Sequence, residues 1–258
     1  MTTVLRAEWT KLRTVAGPGW LLVAAIAATA VVGALAANAV SCPARGCHID
    51  PAKVSLTGVY LGQAIVAIVA VTAVSGEYST GMIRLTLTAT PCRWLVLAAK
   101  AVVVGTASLI AGALAVLASV LAGQVLLDGH SIDPAHGYAT LSLADGSVLR
   151  AAAGSVLYLA LIALLGLGIA VAIRDSAVSI GVVLGLLYLF PIIAGFIADA
   201  TWKRHLDQVG PMTAGMYVQA TTDLRSLPLT PWQGLGVLAA WAAGALLAGG
   251  LLLSLRDA

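Results

Sequence analysis

The sequence predicts an all-α, polytopic membrane protein with six transmembrane helices, and three observations carry that prediction. Only 10% of its 258 residues are charged while 60% are hydrophobic, whereas soluble domains carry roughly 25% charged residues. The charges cluster between long apolar stretches rich in Ala, Leu, Val and Gly, which is the composition of a chain that lives in lipid. Each of six such stretches meets the requirement of about 20 residues for crossing about 30 Å of hydrocarbon as a helix. Strands of a membrane barrel would instead be about ten residues long and alternate in polarity.

The elements follow in chain order. Thr3 to Val15 reads as an amphipathic helix: Val4, Leu5, Trp9, Leu12 and Val15 fill an arc of roughly 140°, and Arg6, Thr10, Lys11, Arg13 and Thr14 occupy most of the remainder. Glu8 interrupts the apolar arc. Such a helix lies flat at the membrane interface with Trp9 at headgroup level, or it is a positive flank that only sets topology. Gly17, Pro18 and Gly19 then supply a bend. The first span, 19–40, is uncharged throughout and exceeds the roughly 7–15 residues of a signal-peptide core, so it is expected to be retained. Further spans are expected at 54–75, 95–127, 149–173, 176–198 and 231–255, all within one transmembrane domain, 1–258. Pro191 removes a backbone donor inside the fifth and is expected to bend it.

An even number of spans puts both termini on one side. With the termini inside, eight Lys and Arg are cytoplasmic (Arg6, Lys11, Arg13, Arg84, Arg93, Lys100, Arg174 and Arg256) against six outside, and three of those six sit in one long loop where the positive-inside rule weakens. The expected orientation is therefore termini in. It places all four histidines outside. Asp128, His130, Asp133 and His136 lie together in a loop rich in Gly, Pro and Ser, but without the spacing of metal ligands they read as solvated. Cys42 and Cys47, flanking Pro43 and Gly46, form either a small disulfide or free thiols. Gly58 with Gly62, and Gly181 with Gly185, have the spacing that lets helices approach closely. No basic run of the kind that binds nucleic acid is present.

Between spans two and three, Gly76 to Trp94 holds the most information. As a helix it places Tyr78, Met82, Leu85 and Ala89 on one face, Thr80, Arg84 and Thr88 on another, and Ile83 with Leu87 on a third. A short cytoplasmic helix with apolar residues on more than one side has something besides lipid to bury, and a docking partner is the natural candidate. Pro91 ends it. Met82 and Ile83 stand where a phosphate-binding loop needs Lys and Ser/Thr, so this is no nucleotide site.

Taken together, Glu8-Trp9-Thr10-Lys11-Leu12-Arg13, the run Gly76 to Arg84 followed by Pro91, Arg93 and Lys100, and the tail Arg256-Asp257-Ala258 resemble the type-2 ABC transporter permeases of actinobacteria. The resemblance covers the whole chain in span number and loop lengths. It implies that Glu77 to Trp94 is a coupling-helix region seated on an ATPase, with Glu77, Tyr78, Ile83, Arg84, Leu87 and Arg93 as its contact residues. It implies that Thr3 to Val15 is a connecting helix using Arg6, Trp9, Lys11 and Arg13, and that Val209 to Leu227 forms short helices dipping back towards the membrane. The implied assembly is two permeases, identical or homologous, with two ATPase subunits in a bacterial cytoplasmic membrane, ATP being bound by the partner and no cofactor by this chain.

The residues leave other classes weaker. The charge-free stretches within the expected spans, which begin at Ala101 in the third and Ala151 in the fourth, leave the span interiors without charge, and this disfavours proton-driven transport. Neither a His-Glu-x-x-His pattern nor paired catalytic side chains mark a membrane-embedded enzyme. A non-transporting sensor or immunity subunit on the same scaffold stays open as the alternative to an exporter subunit.

Overall fold

The computed structural model describes residues 2–14, 16–40, 49–89, 92–129 and 141–255. Among them there is no strand. Six helices are long and apolar enough to cross a membrane: Gly17–Ala39, Pro51–Ser79, Arg93–Leu127, Gly146–Ile173, Ser176–Phe196 and Pro231–Leu255. The chain is an all-α polytopic membrane protein. Cys42, Cys47, His48, His130, Asp133, His136, Pro91 and the tail lie outside the described residues. Cys92 is a free, exposed thiol.

In order, α1 (Thr2–Thr14) precedes α2 (Ala16–Ala39); α3 (Pro51–Ser55) leads through a 3₁₀ turn into α4 (Val59–Ser79); α5 (Met82–Ala89) is followed by α6 (Arg93–Gly129), α7 (Gly146–Ile173) and α8 (Ser176–Phe196). Two short helices, α9 (Ala200–Val209) and α10 (Pro211–Met216), then lead to the last span, α11 (Pro231–Leu255). Pro18 falls in the first turn of α2, where its missing N–H has no intrahelical partner to lose. Gly81 joins α4 to α5 at φ 70°, a left-handed conformation that costs glycine little and other residues more.

Helix α7 is the hub, packing against α4, α6, α8 and α11. Its most apolar stretch is 61% buried, against 22% for α2 and α8. That difference identifies α7 as core and leaves α2 and α8 with apolar faces suited to lipid. Tyr158, Leu159, Ile162, Leu165 and Leu167 fill the centre. Gly58 and Gly62 do serve close approach, but within the chain: a Cβ at either would collide with Thr29 of α2. Gly181 and Gly185 face open space. Helix α8 continues through Pro191.

At the end of the bundle away from α1, α10 is sunk among the spans, with Met212, Ala214 and Val218 buried. The short helices expected after Val209 are therefore present, packed against α7, α8 and α11. Gln63 of α4 ties them in: its amide donates to Met212 Sδ at 3.2 Å and its carbonyl accepts from the Tyr158 hydroxyl. Asp50, the N-cap of α3, also accepts from the backbone and hydroxyl of Thr221, each at 2.6 Å.

Candidate functional site

On the α1 side of the bundle, three helices bring four charges together, three of them out of water. Lys100 of α6 donates to Glu77 Oε1 of α4 at 2.6 Å and to Glu8 Oε2 of α1 at 2.8 Å. Lys11 of α1 donates to Glu8 Oε1 and Glu77 Oε1, both at 2.9 Å, and to Thr86 Oγ1 of α5 at 3.3 Å. The side chains of Glu8, Glu77 and Lys100 are no more than 7% exposed, while Lys11 is 32% exposed.

The local sequence makes this possible. Glu8 and Lys11 are three apart on α1 and so share a face. Glu77 sits in the last turn of α4, beside the helix's unpaired carbonyls, where the helix dipole opposes a negative charge. Two ammonium groups on one of its oxygens offset that opposition. Lys100 lies two turns inside α6, long enough to reach both carboxylates. Burial acts to raise the Glu8 carboxyl, but the Lys100 ammonium, its hydrogen bond and Lys11 outweigh it and hold the group below its ordinary value. Burial acts to lower Lys11, yet its bonds to Glu8 and Glu77 raise it above the ordinary range. Both α1 groups are thus fixed in their charged forms.

The sequence matches no protein-family model and no curated protein. What the site can do is therefore read from its geometry. The ion cluster fastens α1 to two spans and, through Thr86, to the short helix α5. Thr86 in turn donates to the Met82 carbonyl at 3.1 Å. Between α1 and α5 runs an open groove lined by Val4, Ala7, Met82 and Leu85, with Glu8 and Lys11 among its polar residues. Leu85 is 72% exposed.

The residues singled out by sequence fall into distinct places. Glu77 and Lys11 belong to the ion cluster. Tyr78 lies with its ring 5.5 Å beneath the Arg174 guanidinium, joining the end of α4 to the end of α7. Arg93 donates to the Leu253 carbonyl at 2.5 Å, closing the C-terminal end of α11, where a cation suits the dipole. Ile83 is buried in this chain, so the outward apolar side of α5 is Met82 and Leu85 rather than Ile83. The side chains of Arg84 and Leu87 are outside the described set. Arg6, Trp9 and Arg13 are exposed on α1.

Sequence reasoning missed Glu8 and Lys100 as site residues. Their signals were present: Glu8 interrupted an apolar arc, and Lys100 stands as a charge inside the expected third span, 95–127. Glu77 lies just past the expected end of the second span, 54–75, which α4 overruns to Ser79. The helices continue because those charges are paired, which removes the reason for a helix to end at them.

Proposed function

We propose that this chain is the membrane-spanning permease subunit of an ATP-binding cassette exporter, powered by a separate ATPase that docks on the α1 side. The observation that carries this reading is the ion cluster joining α1 and α5 to α4 and α6. A push on the surface helices is delivered to two spans through buried, charge-assisted contacts instead of through a loose loop. Leu85 and Met82, exposed beside the groove, supply the apolar contact a docked partner would cover. On this reading both termini are cytoplasmic, and the complex pairs two permeases with two ATPases in a bacterial cytoplasmic membrane.

Leu85→Asp tests the docking. Truncation of an apolar residue at an interface centre costs roughly 1 kcal/mol or more, and burying an unpaired charge costs further. The variant should insert normally, because Leu85 is on the surface, yet lose ATPase co-purification and export. Retention of both would dismiss α5 as the docking element. A cytoplasmic reporter fused after Ala258 checks the orientation and should be active where an export-dependent one is silent.

A further inference from the structure

Helix α1 has two faces. The one turned towards α5 and the spans carries Val4, Ala7, Glu8 and Lys11. On the opposite side Arg6, Trp9 and Arg13 recur at spacings of three and four and fall within about 60° of one another on the helical wheel. All three are exposed. We propose that this stripe is a binding surface for the anionic headgroups of phospholipids.

The first observation is charge. Glu8 and Glu77 cancel Lys11 and Lys100 inside the ion cluster, so the charges of Arg6 and Arg13 are not neutralised there. Neither guanidinium has an ion-pair or hydrogen-bond partner among the described residues. Each presents a planar fork of donors that matches a pair of phosphate oxygens.

The second observation is depth. Helix α1 is bonded through Glu8 to Lys100, and two exposed tryptophans bracket that level. Trp94 precedes Lys100 by six residues on α6, about 9 Å of helix. On the membrane side, Pro18 borders the same cavity as Glu8, Lys100 and Val103, and the exposed Trp20 follows two residues later. Tryptophan concentrates at headgroup level. Helix α1 therefore lies within the headgroup layer, and the face it turns away from the spans meets headgroups instead of open water. Trp9, between the two arginines, suits the same layer. The groove beside Leu85, proposed above for the ATPase, is on the other face of α1, so this surface does not depend on the exporter reading.

The test is native mass spectrometry of the full chain released from detergent micelles, titrated with phosphatidylglycerol or with phosphatidylcholine of identical acyl chains. Each basic residue near an anionic lipid surface contributes about fivefold, so the two arginines should favour phosphatidylglycerol by roughly thirtyfold at low salt. The preference should weaken as ionic strength rises from about 0.05 to about 0.5 M, because exposed charges are screened. Arg6→Gln with Arg13→Gln should remove most of it, and the variant should fold as the parent does, since both side chains are exposed and unpartnered. Lys203→Gln with Arg204→Gln, which deletes the same charge from exposed positions on α9, should leave most of it in place. No preference in the parent, or one indifferent to salt, would overturn the proposal with the unaltered protein alone. An equal loss from both double variants would assign the effect to net charge and equally overturn it. Loss of ATPase co-purification from the α1 variant with lipid preference unchanged would give the stripe to the ATPase and overturn it as well.

Discussion

Replacing Lys100 with Met keeps the length and apolar stem of the side chain and deletes its charge. Glu8 and Glu77 then share a single ammonium, that of the partly exposed Lys11, and one buried negative charge is left over. Breaking a buried ion pair from one side costs about 3–5 kcal/mol, because the surviving charge stays desolvated. Since 1.4 kcal/mol is about tenfold in an equilibrium, Lys100→Met should raise the opening of α1 at least about a hundredfold. Hydrogen exchange of the α1 amides in nanodiscs reads this directly, with α7 as an internal reference that should barely change. Adding Glu8→Gln restores neutrality, leaving Glu77 with Lys11, and should recover most of the protection. A single variant with unchanged exchange, or a double variant that exchanges faster than the single, would refute the claim that buried charge balance holds α1 in place.

Acid and base probe the same cluster with no mutation. Because the folded Glu8 carboxyl lies below its ordinary 4.5, its contribution is complete above that value and is lost as pH falls through the folded one. Because folded Lys11 lies above its ordinary 10.5, its contribution is complete below that value and is lost as pH rises through the folded one. Exchange of α1, corrected for intrinsic rate, should therefore be flat from about pH 5 to about pH 10 and rise outside; a step near pH 7 would contradict the assignment. Pro191→Ala returns an N–H to the middle of α8, so insertion and protein level should be unchanged while export changes if the proline shapes the path. Export equal to the parent would make Pro191 a tolerated irregularity.

The span count was legible because hydrophobic length is a local property, readable one segment at a time. The site was legible only in fragments. Glu77 and Lys11 belong to the expected site, yet they are 66 residues apart and Lys100 is 92 residues from Glu8, and ion pairing across helices leaves no periodic trace in one chain. The expected face of α1 shows the same limit. Its wheel put Trp9 and the valine–leucine arc towards the membrane interface and showed Glu8 only as an interruption of that arc, whereas the structure, which leaves Trp9 exposed, turns Glu8 inward to a partner on α6. In the same way, Ile83 and Leu87 looked equally outward on α5, and only packing shows that Ile83 is covered.

An apolar contact could fasten α1 as firmly, since replacing buried ion pairs with well-packed hydrophobic residues is often neutral or stabilising. The ionic version differs in how it fails. Apolar contacts weaken gradually as helices slide, whereas a four-charge set at 2.6–2.9 Å is balanced in one register and leaves naked charge in its neighbours. It therefore favours two discrete states, α1 seated or α1 released with its charges in water, over a continuum of intermediates. On the exporter reading proposed above, α1 would pass a displacement to α4 and α6, and that property would serve it, because a joint that slides would absorb the movement. The charge-balanced double variant separates the two roles: it should keep α1 attached yet blunt transmission, so a complex with restored exchange protection and reduced export would show that the ions serve register as well as attachment, and full export would show that attachment alone suffices.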